Sequence, residues 1–465
     1  MGRRRRMLVL GICCMSLFVV GIDVTAVNLA LPSISRDLHA SFAQLQWVLD
    51  AYTLVLASLL MLSGSVADRI GRRKVFQAGL ILFGLGSLLC SVSVSAPMLI
   101  GARGLQAVGG SMLNPVAMSI IVNTFTTPRE RAQAIGVWGG VVGLSMALGP
   151  VVGGALVDAV SWKAIFWINV PIVILAAALA ARFIPESKAP HPRELDPIGQ
   201  VLVVGLLASL VYGIIEGRGL GWTSATVIGC GLVAVACAVA IAVVEPKRAQ
   251  PLIDFGFFRS VSFSGAVVCA IVGFAGLGGF LFVNTLYLQQ VRGLSPLDAG
   301  LMTLPMAEMI AVCAPISGKV VAHIGPRIPM EIAGVGFSAS ALILIALRND
   351  TSLVVLAVSY ALFGAGFGFL NAPITNSAVS GMPREQAGVA AAIASTSRQI
   401  GSALGVAVFG ALVSSRLTGP VKMSLATASH AGWWVMVGCG VVLLGMAFVT
   451  TGQRARRTAY EPSTA

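Results

Sequence analysis

Five ionisable residues stand inside long apolar runs of this sequence: Asp23, Asp50, Arg103, Glu308 and Arg398. An ion held in hydrocarbon costs about 3 kcal/mol or more, so a chain keeps one there only to pair it, to bind with it or to move it. The chemistry on offer is proton exchange by carboxylates and attraction of charged small molecules. Asp23 lies eight residues before Leu31, Arg103 six after Pro97 and Glu308 nine after Ala299. At 1.5 Å of helix rise per residue, all three fall about 9 to 14 Å beneath one surface. Asp23 and Arg103 are able to pair directly, which reads either as a fixed ion pair that sets helix packing or as a proton-coupling site. Glu308 has no base in its own run, and reads as a coupling or substrate-binding acid or as one reached by water from outside. Asp50 sits about four residues into its run, where snorkelling to the interface stands beside a functional role. For Arg398, near the middle of a run, an anionic group or a cluster of carbonyls would serve as partner. Asp158, Glu216 and Glu245 lie at run ends and read as solvated. His39, His191, His323 and His430 all fall in links, so any proton relay rests on carboxylates.

The elements that must position these groups are membrane-spanning helices. Of 465 residues, 57% are hydrophobic and only 11% charged, with a mean hydropathy of +0.90. That is too little charge to cover a soluble surface of this size. The net charge of +13 is scattered between apolar runs rather than gathered on one module, which excludes a nucleic-acid binder. Runs long enough to cross about 30 Å of hydrocarbon recur near 7–31, 46–67, 75–95, 97–125, 134–158, 164–185, 197–215, 223–245, 262–286, 299–321, 330–348, 353–378, 387–414 and 431–451. Links on one side, with both termini, hold 22 of the 31 Lys and Arg residues. The opposite links hold seven: Arg36, Lys163, Arg218, Arg292, Arg348, Arg416 and Lys422. This bias predicts an even number of spans and both termini in the cytoplasm, in a multi-pass protein of the inner (plasma) membrane. Arg3 to Arg6 precede a run that continues to Leu31 without a cleavage site, so the first helix is read as retained. The eight cysteines all fall in apolar runs without ligand spacing, which implies neither disulfide nor metal.

The chain repeats itself. ALGPVVGGALV at Ala147–Val157 returns as ALGVAVFGALV at Ala403–Val413, 256 positions later and identical at eight of eleven. GSVADRIGRR at Gly64–Arg73 returns as GKVVAHIGPR at Gly318–Arg327, and Leu113-Asn114 as Leu370-Asn371. Each pair falls on one side, so the repeat is parallel, an architecture that puts a transport site between its halves. The expected organisation is an N-terminal six-helix bundle (1–190), an inserted helix pair (191–255), a C-terminal six-helix bundle (256–451) and a tail (452–465).

At these residues the chain resembles the major facilitator superfamily, in its fourteen-helix drug:proton antiporter branch. GSVADRIGRRK at Gly64–Lys74 is similar to the superfamily's motif A. Arg103, Gln106 and Gly109 match motif B, and Gly149, Pro150, Gly153 and Gly154 match motif C of helix 5, associated with antiporters. Asp23, Thr25, Asn28 and Ala30-Leu31-Pro32 resemble the helix 1 motif of the branch, and Arg398-Gln399-Ile400-Gly401 its helix 13 pattern. Two departures stand out: Trp162-Lys163-Ala164 replaces the usual Trp-Arg-Trp, and Ala322 stands in the second motif A where the first has Asp68. The resemblance implies that Asp68, Arg69, Gly71 and Arg72 act in conformational gating. It places Asp68 at a helix N-terminus of the other half and leaves Arg72 able to pair with Glu130.

The expected function is therefore proton-driven export of small amphiphilic or cationic compounds by alternating access. Asp23, Arg103, Glu308, Asp50 and Arg398 are the candidates for coupling and binding. The expected partners are a small-molecule substrate, protons and the bilayer, with no cofactor beyond the proton gradient and no nucleic acid, in a monomer. A carrier of one dedicated metabolite is the nearest alternative. A membrane-embedded enzyme would need clustered catalytic His or Asp, which scattered histidines do not supply.

Overall fold

The computed structural model describes residues 2–189, 195–248, 252, 254–380 and 387–452, which are helical almost throughout. The first seven helices are α1 (Arg3–Leu38), α2 (Phe42–Ile70), α3 (Arg72–Ser91), α4 (Ala96–Thr124), α5 (Pro128–Ala159), α6 (Ala164–Trp167) and α7 (Asn169–Phe183). There follow α8 (Pro197–Leu220), α9 (Ala225–Val244), α10 (Val261–Leu286), α11 (Pro296–Met302), α12 (Leu304–Ile324), α13 (Arg327–Ile345), α14 (Leu353–Val379), α15 (Ala387–Arg416) and α16 (Val421–Val449). With α6–α7 and α11–α12 each counted as one crossing, thirteen are long and apolar enough to span a membrane among the described residues. α15, at 30 residues, is the fourteenth helix of that length. Its middle carries Ser395, Thr396, Ser397, Arg398 and Gln399, which dilute its apolar character.

Helix ends depart from the apolar runs where local caps decide them. α2 begins at Phe42 because Ser41 and Gln44 form a reciprocal capping box. α1 runs through Pro32 to Leu38 and stops where His39 turns left-handed at φ 50°. α16 begins at Val421, so His430 lies inside a spanning helix rather than in a link, with Nε2 2.9 Å from the Leu347 carbonyl. Glu245, expected in solvent, is buried in the 3₁₀ turn Glu245–Lys247 that follows α9. His191 and Arg193 lie outside the described residues, as does the tail beyond Gly452.

The chain divides into two compact units, Met1–Gln200 with Leu294–Leu301, and Val201–Gly293 with Met302–Ala465. In the first unit the main packed pairs are α1 with α5, α2 with α4, α3 with α4 and α3 with α7. In the second they are α10 with α15, α12 with α14, α13 with α14 and α13 with α16. The sequence repeat is thus a repeat of packing. Gly149 brings α5 onto Thr25 and Ile22 of α1, and Gly405, 256 positions on, brings α15 onto the Ala275 backbone of α10. Small residues permit this close approach between helices that lipid gives no hydrophobic reason to join. Gly139 and Gly143, earlier in α5, have nothing within 4 Å of a would-be Cβ among the described residues. Beyond Gln200, α8 and α9 belong to the second unit and pack on each other, Gly205 against Cys237 and Gly213 against Cys230.

Candidate functional site

The first unit holds a closed polar network in its interior. Asp23 of α1 is fully buried, and Arg103 of α4 donates to its Oδ2 at 2.5 Å. Gln106, one turn along α4, donates to Asp23 Oδ1 at 2.8 Å, and Asn169 at the start of α7 donates to the same oxygen at 3.1 Å. Both amides also reach Ser87 Oγ of α3, at 2.8 and 3.3 Å. Arg103 further donates to Gln106 Oε1 (2.6 Å) and, through Nε, to the Val48 carbonyl of α2 (3.2 Å). The Tyr52 ring lies 4.2 Å from the guanidinium and the Phe166 ring 5.8 Å. α3 can come this close because Gly86 faces the Gln106 backbone, where a Cβ would collide. Five helices, α1, α2, α3, α4 and α7, therefore hydrogen-bond into one network around the ion pair, with both carboxylate oxygens engaged. That is the condition under which a buried pair is tolerated. Asn169 and Ser87 escaped the sequence reading; the signal was one amide in the apolar stretch Phe166–Val170.

Asp50 is the opposite case. It is fully buried, and among the described residues neither carboxylate oxygen has a hydrogen-bond partner. It does not snorkel, because the capping box starts α2 four residues earlier than the apolar run and Asp50 falls eight residues, or about 12 Å, along the helix. Val48 and Tyr52, four residues apart, share the face that meets Arg103; Asp50, two residues from each, projects from the other side of α2. Arg103, which serves Asp23, therefore lies on the opposite face of α2 from Asp50.

In the second unit, Arg398 of α15 donates to Thr375 Oγ1 of α14 at 2.7 Å and lies 6.0 Å from the Phe274 ring, while its buried Nε has no partner among the described residues. Glu308 of α12 is exposed and makes no hydrogen bond or ion pair with a described residue. Phe280, Phe282 and Met306 are buried core. Phe280 stacks on Phe363 at 4.1 Å, and Tyr360 beside it donates to Asn284 at 2.8 Å.

The α2–α3 link is latched differently from expectation. Arg72 pairs with Asp68 one turn back (2.8 Å), and Glu130 pairs with Arg6 (2.6 Å), so the expected Arg72–Glu130 contact is absent. The reason is reach: Asp68 and Arg72 are four residues apart across Gly71, whereas Glu130 is taken by the basic start of α1. Gly71 holds φ at +131°, a conformation open to glycine, and the Glu186 carboxylate packs over it. Glu186 accepts from the Arg73 amide at 3.0 Å and so supplies the anion at the start of α3, whose N-cap glycine cannot. The Ser187 carbonyl accepts from the Arg72 amide (2.9 Å), and the Asp68 carbonyl from the Ala189 amide (3.0 Å). Arg69 is exposed. Trp162, in the departing Trp-Lys-Ala segment, is buried and donates to Asp37 of α1 at 2.9 Å. Within motif C, Gly154 lies against the backbone of Pro296 and Leu297, and Gly300 against the Pro150 carbonyl, in the same unit.

A duplicated bundle of apolar helices with a buried ion pair and an orphaned acid defines a multi-pass membrane transporter rather than an enzyme. The family model for the Major Facilitator Superfamily matches residues 13–406. The chain belongs to that superfamily. It is 34% identical over 426 residues to the multidrug resistance protein Stp of Mycobacterium tuberculosis, covering 91% of this chain and 79% of that protein. It is 36% identical over 401 residues to the tetracenomycin C resistance and export protein of Streptomyces glaucescens, covering 86% and 74%. Among solved structures, a peptide transporter in complex with sulfate superposes with a TM-score of 0.72 at 15% identity, over 99% of this chain and 97% of that one. A bacterial homologue of the lysosomal transporter Spinster superposes with a TM-score of 0.65 at 18% identity, over the whole of both chains.

Proposed function

We propose that this protein exports small amphiphilic or cationic compounds, drugs and antibiotics among them, in exchange for protons by alternating access. The observation that carries the coupling is Asp50. A carboxylate with no donor in an apolar interior is not kept as an anion, whereas Asp23 has its charge met by Arg103. Asp50 is accordingly the group that takes up and releases the transported proton, and the Asp23–Arg103 network holds the first unit rigid around it. Glu308 and Arg398, each without a charged partner among the described residues of the second unit, meet charged groups on the substrate. Efflux of drugs is supported by the relatives, whose names are multidrug resistance and antibiotic export proteins. One chain suffices, with the proton gradient as the only driving force. The names of the tetracenomycin C and methylenomycin A resistance proteins favour, as a second reading, a carrier dedicated to one natural product.

The test is transport in proteoliposomes with an imposed pH gradient, using a cationic dye and a neutral antibiotic. Addition of dye should move protons outward through the protein, and a protonophore should abolish accumulation. Accumulation that survives the protonophore would refute proton coupling. The protein sits in the inner membrane with the α2–α3 link in the cytoplasm, as the excess of Lys and Arg on that side supports. In a cysteine-free background, Lys163→Cys should react with an impermeant thiol reagent in intact cells and Arg69→Cys should not. The reverse pattern would overturn this orientation.

A further inference from the structure

The start of α1 carries four consecutive arginines with two different fates. Arg5 donates to the Phe183 carbonyl at 3.2 Å, and Arg6 pairs with Glu130 at 2.6 Å while lying 6.0 Å from the Phe125 ring. Arg3 and Arg4 are exposed and make no hydrogen bond or ion pair with a described residue. Beneath them a cavity of about 700 Å³ runs down the first unit, lined by Arg3, Arg4, Met7, Leu8, Gly11, Ile12, Met15 and Leu179. Apart from the two arginines the lining is apolar. Arg3, Met7, Gly11 and Met15 repeat every four residues, so they form one stripe along α1, with Leu179 of α7 as the facing wall. Gly11 has nothing within 4 Å of a would-be Cβ, so its missing side chain deepens the groove rather than admitting a neighbouring helix. From Arg3 to Met15 the stripe is about 18 Å long, close to the depth of one leaflet of a bilayer whose core is about 30 Å.

We propose that this groove is a binding site for an anionic phospholipid, with the headgroup phosphate on Arg3 and Arg4 and one acyl chain seated along Met7, Gly11 and Met15. Charge complementarity selects this occupant. Two guanidiniums that make no salt bridge with a described residue offer bidentate donors to a phosphate, and they stand at one end of an open apolar groove that a hydrocarbon chain fills without stranding polar groups. A cationic substrate is repelled at the same mouth. Arg5 and Arg6, already engaged by the protein, fix the helix end so that the other two arginines face the lipid.

The experiment uses the full-length protein, delipidated in detergent and titrated by native mass spectrometry with phosphatidylglycerol or phosphatidylcholine of identical acyl chains. Wild type should prefer phosphatidylglycerol at its tightest site by about thirtyfold, the attraction that two arginines near an anionic surface supply. Arg3→Gln/Arg4→Gln should remove the preference, and Arg3→Lys/Arg4→Lys should keep most of it. Gly11→Leu fills open space without touching a neighbour, so the protein stays folded, yet it should weaken binding of both lipids. Equal binding of the two lipids by wild type would overturn the proposal, as would a preference that survives loss of both arginines. Undiminished binding to Gly11→Leu, or displacement of the lipid by a cationic dye, would overturn it equally.

Discussion

Arg103→Met is expected to lower the stability of the folded protein by about 3–5 kcal/mol, the effect of leaving one partner of a buried ion pair uncompensated. Both groups are buried and every other donor to Asp23 is neutral: Gln106 and Asn169 supply two bonds, neither carrying charge. The loss should spread beyond the pair, since Arg103 also ties α2 through the Val48 carbonyl and presents its guanidinium to Tyr52. The double variant Asp23→Leu/Arg103→Met removes both charges and should be less destabilised than Arg103→Met alone, because no ion is then left in the interior. Unfolding of purified protein in mixed micelles, compared across the two single variants and the double, measures the coupling. A coupling near zero would show that the pair contributes nothing to holding α1, α2 and α4 together.

What the sequence made legible follows from how unusual each signal is against an apolar background. Asp23 and Arg103 could be found because a charge in such a run has few explanations, and the helical rise put both at one depth. The packing repeat could be found because Gly149 and Gly405 sit in matching strings of small residues. Asn169 and Ser87 were hidden, since a single neutral polar residue in a helix more often bonds its own backbone, as Ser91 does to Leu88. Asp50 was placed too near the interface because the apolar run begins at Gln46, whereas the helix begins where Ser41 and Gln44 satisfy its first amides. Glu186 was invisible for a different reason. Its role at the α3 N-terminus depends on a contact across more than one hundred residues, and nothing in the Gly64–Lys74 motif names the distant anion that caps it. The Arg72–Glu130 expectation failed for the same cause, as a local partner one turn away outcompeted a remote one.

Asp50→Asn is expected to leave folding nearly intact and to remove the driving force for transport. Neither Asp50 oxygen makes a hydrogen bond, so an amide of the same shape gives up no contact, and stability should stay within about 1–2 kcal/mol of wild type, the scale of burying one unpaired amide. The amide cannot exchange a proton. If Asp50 carries one proton per cycle, the variant forfeits about 2.3 kcal/mol per 100 mV of membrane potential, which lowers the substrate gradient the protein can sustain by about fiftyfold. Counterflow of substrate in both directions without a gradient should persist, because binding and rocking of the units do not require the proton. Steady-state accumulation in proteoliposomes, set beside counterflow in the same preparation, separates the two. Asp50→Asn protein that still builds the wild-type gradient would move the coupling role to Glu308, which is exposed and without a described partner, or to Asp23 despite its three donors. Asp23→Asn discriminates further: it breaks the ion pair with Arg103, so its defect should appear first as lost stability, whereas that of Asp50→Asn should appear as lost accumulation in a stable protein.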